Sequence, residues 1–173
     1  DLDFLINGSK CDSNFIDIGS NIGLYSLPMA LACSKGITIA IDANPMMASR
    51  LNLNKKLSKI SNINMVSKAI SDKKGYGTLK IRKNDIAIVA LDENIDGIIE
   101  ISTLSDILKN NKIDKIYGLK IDIEGHEDKA LVPFLLNAPK EMLPEKIVIE
   151  HMNYQDYPGC KSAFTKLNYE LMG

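Results

Sequence analysis

Phe15-Ile16-Asp17-Ile18-Gly19-Ser20-Asn21-Ile22-Gly23 decides how this chain is read. Phe15 to Ile18 is an apolar run carrying one acid, and it breaks into glycine and polar residues before a helix-length apolar stretch, Leu24 to Cys33. The order is strand, tight turn, helix. Gly19 and Gly23 lack a Cβ, so the turn can take positive φ and bring its backbone close to a ligand. Asn21 between them is the next best residue for a left-handed conformation. The next helix aims its N-terminal amides back at the turn, a place for a carboxylate or phosphate. Pro28 falls in the first turn of that helix, and Gly36 ends it.

Outward from the turn, Ile37 to Ile41 is short, β-branched and apolar, the mark of a buried parallel strand. It ends in Asp42, and an acid at the tip of the second strand of such a unit accepts hydrogen bonds from both hydroxyls of a ribose. Asn44 caps and Pro45 opens a helix through Leu57. A third strand is expected over Ile63 to Ile70, followed by Ser71-Asp72 and a glycine-rich turn, Lys74 to Gly77. Residues 78–102 break the alternation. Thr78 to Ile81, Ile86 to Leu91 and Ile98 to Ile101 read as short strands of an antiparallel insertion, with Asp92 to Gly97 a turn-rich joint. After a short helix, Thr103 to Lys109, come a strand over Ile116 to Ile121, a helix from Glu127 to Leu136, a strand from Lys146 to Ile149 and a helix from Tyr157 to Leu167. Asn168 to Leu171 is expected to start one more strand. Residues 1–13 form a polar approach with a short apolar patch, Phe4 to Ile6.

The fold class is therefore α/β: a doubly wound, mostly parallel sheet covered on both faces, with a small antiparallel insertion. Ligands bind such sheets outside the carboxyl ends of the strands. Asp17, Asp42, Asp122 with Glu124, and Glu150 follow or end separate apolar strands and are expected to share one rim. His126, Glu127 and His151 lie in the same segments, and Tyr154 and Tyr157 follow Glu150.

Composition narrows the function. The 173 residues suit one domain, and a net charge of −1 without a basic stripe argues against a nucleic-acid partner. Three cysteines, Cys11, Cys33 and Cys160, form no CxxC pair, so neither a zinc ribbon nor a disulfide framework is indicated, and a reducing, cytoplasmic setting is the default. No apolar run approaches the roughly 20 residues of a membrane span. The histidines and acids match no metal-binding spacing.

Three stretches carry a resemblance. Phe15-Ile-Asp-Ile-Gly-Ser-Asn-Ile-Gly-Leu-Tyr-Ser is similar to the first motif of the FkbM methyltransferases. Leu119-Lys-Ile-Asp-Ile-Glu-Gly-His-Glu resembles their lysine, acid and Glu-Gly-x-Glu segment, and Ser102-Thr-Leu-Ser-Asp-Ile-Leu falls at their threonine-leucine-acid helix start. The resemblance runs over residues 14–152. It implies a class I, Rossmann-like fold and an S-adenosylmethionine-dependent enzyme that methylates a hydroxyl of a sugar, glycan or polyketide-like small molecule. By that resemblance, Asp17, Gly19, Ser20, Asn21 and Gly23 surround the methionine part of the cofactor and Asp42 holds its ribose. Ala69, Ser71 and Asp72 lie near the adenine.

The sequence departs from the family pattern in places. Asp42-Ala43 replaces Glu-Pro, Ala69 stands where an acid is usual, and Ser105 replaces the acid of the helix start. The class I sheet has seven strands, so residues 1–173 are expected to be a single domain lacking the final strand. Methyl transfer to a hydroxyl also requires a group to take its proton, and Asp122, Glu124, His126, Glu127, Glu150 and His151 are the candidates, with Asp122, Glu124, His126 and Glu150 foremost. Two other readings remain beside it: a nicotinamide-dependent oxidoreductase, whose G-x-G-x-x-G pattern fits the turn poorly, and a non-catalytic binding module of the same fold.

Overall fold

The computed structural model describes residues 1–82, 85–150 and 157–172. Five parallel strands form the main sheet: β1 Phe15–Ile18, β2 Thr38–Ile41, β3 Ile63–Val66, β8 Gly118–Ile121 and β9 Lys146–Ile149, in the spatial order β3-β2-β1-β8-β9. The central strand is the one that carries the opening motif. The strand order reverses between β2 and β8 on either side of it, and crevices for ligands open at such a reversal.

Alternation along β1 sorts its side chains between two layers. Ile16 and Ile18 join Ile39, Ile41, Leu119 and Ile121 in the larger core, under α4 (Leu104–Asn110), α5 (Glu127–Asn137) and α6 (Pro158–Lys166). Phe15 faces the other way, into a core with Leu5 from α1 (Leu2–Ile6), Met29 from α2 (Ser26–Ala32) and Cys33 just after α2. The apolar patch near the N-terminus is thus a short helix that seals the sheet. α3 (Pro45–Leu57) covers the same face through Leu51, packed with Ala30, Ala40 and Ile63. Asn44 caps it, its side chain accepting the Met46 amide at 3.0 Å.

Four expectations need correction. The strand expected over Ile63 to Ile70 is two strands, β3 and β4 (Ala69–Ile70), because the chain leaves the main sheet at Ser67-Lys68 and pairs with β7 (Ile99–Ser102) instead. The glycine-rich turn at Lys74 to Gly77 is the start of a long strand, β5 (Gly75–Arg82), antiparallel to β6 (Asp85–Glu93) and to β7. A Cβ on Gly97 would lie 2.1 Å from the Gly77 carbonyl oxygen, so these glycines serve close backbone approach between strand and joint. The helix after the opening turn starts at Ser26, two residues later than expected. The strand expected from Asn168 does not form: the Tyr169 hydroxyl donates to the Pro144 carbonyl at 2.6 Å, and its ring meets Phe164 edge-on.

The second sheet, β4-β7-β5-β6, stands beside the carboxyl ends of the main sheet and supplies Ala69, Ile70, Leu79 and Leu91 to a shared cavity wall. Among the described residues, no helix is long and apolar enough to cross a membrane.

Candidate active site

The turn after β1 is held by its neighbours on both sides. The Gly19 and Ser20 amides both donate to the Ile41 carbonyl, at 2.9 and 3.0 Å. Gly19 has φ +75°, and a Cβ there would sit 1.8 Å from the Asp122 carbonyl oxygen. Glycine is required because the loops after β1 and β8 touch, with the β8 backbone occupying the space. Asn21 takes the left-handed conformation expected of it, φ +49°, which turns its amide onto Asp42 Oδ2 at 2.7 Å. Asp42 Oδ1 accepts the Asn44 amide at 2.8 Å. Each carboxylate oxygen has capacity for a further hydrogen bond. Burial pushes the Asp42 carboxyl up, and the two backbone amides pull it back.

These groups border a cavity of about 290 Å³. Gly19, Asn21, Asp42, Ala69, Asp122, Glu124, His126 and Glu150 all line it, so eight of the residues singled out in the sequence come together. Apolar side chains line it as well, Ile41 and Met47 from β2 and α3, and Ile70, Leu79 and Leu91 from the second sheet. The other candidates stand off the wall. Gly23 faces Leu51 and Leu27, Ser20 and Ser71 are buried, and Asp72 is exposed beside Ser71. His151 and Tyr154 lie outside the described residues.

Asp17 lies beneath the cavity floor. It shares the face of β1 that carries Phe15, so its carboxylate points under α2, where it is 1% exposed. Ser26 donates to Oδ2 at 2.5 Å, and Lys120 stands 3.6 Å from Oδ1. Burial raises the Asp17 carboxyl, and Lys120 is the chief opposing influence. Sequence reasoning assigns no role to Lys120. In the parallel register it lies directly beside Asp17. Its ammonium donates to the Gly19 carbonyl at 2.9 Å, lies 3.5 Å from Asp122 Oδ2 and sits 5.4 Å from the centre of the Tyr25 ring. A lysine inside the buried run Gly118 to Ile121 is the available signal, since such a cation needs a partner on an adjoining strand.

The β8–α5 loop forms the acidic side. Glu124 and Gly125 both have positive φ, +58° and +102°, a conformation costly for the glutamate. Glu127 holds the loop in place: its two carboxylate oxygens accept the Ile123 and Gly125 amides, each at 2.9 Å. Asp122 hydrogen-bonds Glu150 from the end of β9, and that bond, with their mutual repulsion, pushes the Glu150 carboxyl up to about 7. His126 Nε2 lies 3.1 Å from both Ser71 Oγ and Glu93 Oε1. Glu93, at the end of β6, also accepts Ser71 at 2.7 Å and Lys129 at 3.1 Å, and the Ser71 bond leads in holding its carboxyl down at about 2. Nothing in the sequence marks Glu93, because it reaches His126 only once the second sheet is folded.

Residues 17–170 match the family model of the methyltransferase FkbM domain. The chain belongs to the FkbM methyltransferase family. Among solved structures it is similar to the precorrin-6y C5,15-methyltransferase of Geobacter metallireducens GS-15, at 11% identity over 96% of this chain and 70% of that one, with a TM-score of 0.60. That likeness shows the fold. The Trypanosoma brucei PRMT1 enzyme-prozyme complex with AdoHcy matches 86% of the chain at 12% identity and TM-score 0.48, and P. horikoshii TYW2 in complex with MeSAdo matches 41% at 26% identity and TM-score 0.33. The chain spans 35% and 29% of those two proteins. No curated protein matches.

Proposed function

We propose that this FkbM-family chain is an S-adenosylmethionine-dependent methyltransferase acting on a hydroxyl of a sugar, glycan or polyketide-like small molecule. The observation that carries the reading is Asp42, a half-buried carboxylate at the cavity edge whose two oxygens are each oriented by a backbone amide and keep capacity for a diol. The remainder of the cavity suits the other parts of the cofactor. Met47, Ile70, Leu79 and Leu91 offer an apolar slot for a flat heterocycle, and Asp122, Glu124 and Glu150 offer negative charge to a cation. When bound, S-adenosylmethionine supplies a methyl group on a sulfonium, an electrophile that needs no further activation.

The protein's part is to orient the acceptor, keep water out and handle one proton. Glu150 suits the last task, because a base is most useful when it titrates near the working pH and this carboxyl is held at about 7. Glu150 would take the proton of the acceptor hydroxyl on its carboxylate as the bound cofactor supplied the methyl group. Asp122 stays beside Glu150 as its hydrogen-bond partner. The second sheet closes the apolar side and forms part of the same domain, as an insertion ahead of α4. The cysteines, free in the structure with Cys33 and Cys160 buried, suit a reducing compartment.

Calorimetric titration with S-adenosylmethionine and with S-adenosylhomocysteine tests the reading. Micromolar binding to either, followed by methylation of a member of a hydroxyl-acceptor panel, is the expected result. Folded protein that binds neither sinks it.

A further inference from the structure

The buried ammonium of Lys120 has no part in binding or chemistry as described so far, and its position is unusual. It is 7% exposed, in the middle of a strand, and its contacts are the Gly19 carbonyl, Asp17, Asp122 and the Tyr25 ring. It therefore lies between a sealed acid and one member of the carboxyl pair at the cavity. Asp122 Oδ2 is 3.5 Å from the cation, whereas Glu150 meets it only at longer range. Two carboxyls in hydrogen-bond contact cannot both ionise freely, and the one nearer a cation ionises first.

We propose that Lys120 is a positioning residue that keeps Asp122 as the charged member of the pair, so that Glu150 is the member that takes and releases a proton. This rests on the methyltransferase reading, in which a proton must be accepted at the cavity. The same contacts have a second consequence. By bonding Gly19 and Asp122 together, Lys120 links the turn that borders the Asp42 edge to the group that borders the proton acceptor, so the two halves of the cavity are held by one cation. The centre of the Tyr25 ring stands 5.4 Å from that cation.

Among the described residues, the charged and titratable groups that face the pair or line the same cavity include Lys120 on β8, Asp17 on β1, Asp42 after β2, Tyr25 ahead of α2, Glu124 and His126 between β8 and α5, and Tyr157 ahead of α6. Lys120 is the cation in contact with Asp122.

The test is a carbon-13 NMR titration of the side-chain carboxyls in cofactor-free protein, which needs neither donor nor acceptor. In the wild type, the Glu150 signal is expected to move through a midpoint near 7 while the Asp122 signal stays at its ionised position. In Lys120→Met both signals should move together, with a midpoint raised by about one pH unit, a tenfold gain in proton affinity. Lys120→Arg should restore the wild-type pattern. The proposal is overturned if Asp122 is the titrating member in the wild type, or if Asp122 stays silent in Lys120→Met. Should Lys120→Met not fold, Asp17→Asn with Lys120→Met removes the buried acid that needs the cation, and Asp122 is read in the same way. Failure of calorimetric binding would end the methyltransferase reading without altering this titration, and a silent Asp122 would end the Lys120 assignment without altering the binding.

Discussion

Asp17 and Asp42 look alike in sequence, each an acid near the end of an apolar strand, and the two strands are neighbours in the sheet. The structure gives them opposite situations. Asp17 is third in its strand, on the face that carries Phe15, and α2 closes over it. Asp42 comes just after the last residue of its strand, where the chain turns toward α3, and it opens on the cavity. A difference of one or two positions relative to the strand end separates an acid that stabilises the fold from an acid available to a ligand. Their partners differ too: Ser26 donates to Asp17 Oδ2 and Lys120 offsets its charge from 3.6 Å, whereas the hydrogen bonds to the Asp42 carboxylate from the described residues come from backbone amides.

This division of roles is most vulnerable at Asp17. Asp17→Ala leaves Lys120 buried with half its compensation and Ser26 without its acceptor. A loss of about 3–5 kcal/mol in folding stability is expected by urea denaturation. Gly19→Ala should come next, because positive φ and the Asp122 carbonyl both oppose a Cβ. It should lose roughly 1–3 kcal/mol at least, measured the same way, and any cofactor binding should weaken as the two loops part. Asp42→Ala should do the reverse of Asp17→Ala. Stability should change little, while calorimetry should show S-adenosylmethionine binding weaker by about 1–3 kcal/mol. Equal losses of stability in Asp17→Ala and Asp42→Ala would show that the two acids do not divide the work in this way.

The smallest effects concern two glutamates and have opposite pH signs. Glu93 is held at about 2 against an ordinary 4.5, so its contribution to stability is present above 4.5 and lost as pH falls through 2. Glu93→Gln should cost about 1 kcal/mol at neutral pH, and that gap to the wild type should close in acid. Glu150 is held at about 7 against 4.5, so the folded state keeps a proton that the unfolded chain has released. Its contribution is present below 4.5 and is lost as pH rises through 7. Glu150→Gln should therefore gain on the wild type between these values. Parallel denaturation series across that range check both signs.

The same contrast shows how much a sequence can reveal. The main sheet is legible because each of its strands is a short apolar run punctuated by helix signals, and β-α alternation leaves few ways to arrange them. Asp42, Asn21 and the acids after β8 and β9 are legible because the carboxyl ends of parallel strands share one edge. The depth of Asp17 is partly legible, since alternation puts it with Phe15. Its pairing with Lys120 needs the register between strands far apart in sequence. The second sheet is harder. Its strands are visible as β-branched runs, but glycines that serve close backbone approach at Gly77 and Gly97 read as a turn, and the transfer of Ala69-Ile70 out of the main sheet has no local mark. Glu93 cannot be tied to His126 and Ser71 from sequence, because that contact joins three elements of different sheets.

The contact between Gly19 and the Asp122 carbonyl has a consequence for how the protein is made. The floor of the cavity combines a turn from the start of the chain with a strand that begins at Gly118. At roughly 5–20 residues per second, several seconds of synthesis separate them. During that interval β1 has β2 on one side and nothing on the other, a bare central edge of the kind that pairs with other chains. A nascent chain halted before β8 should be aggregation-prone and without a ligand site, and both properties should change together once β8 emerges and docks.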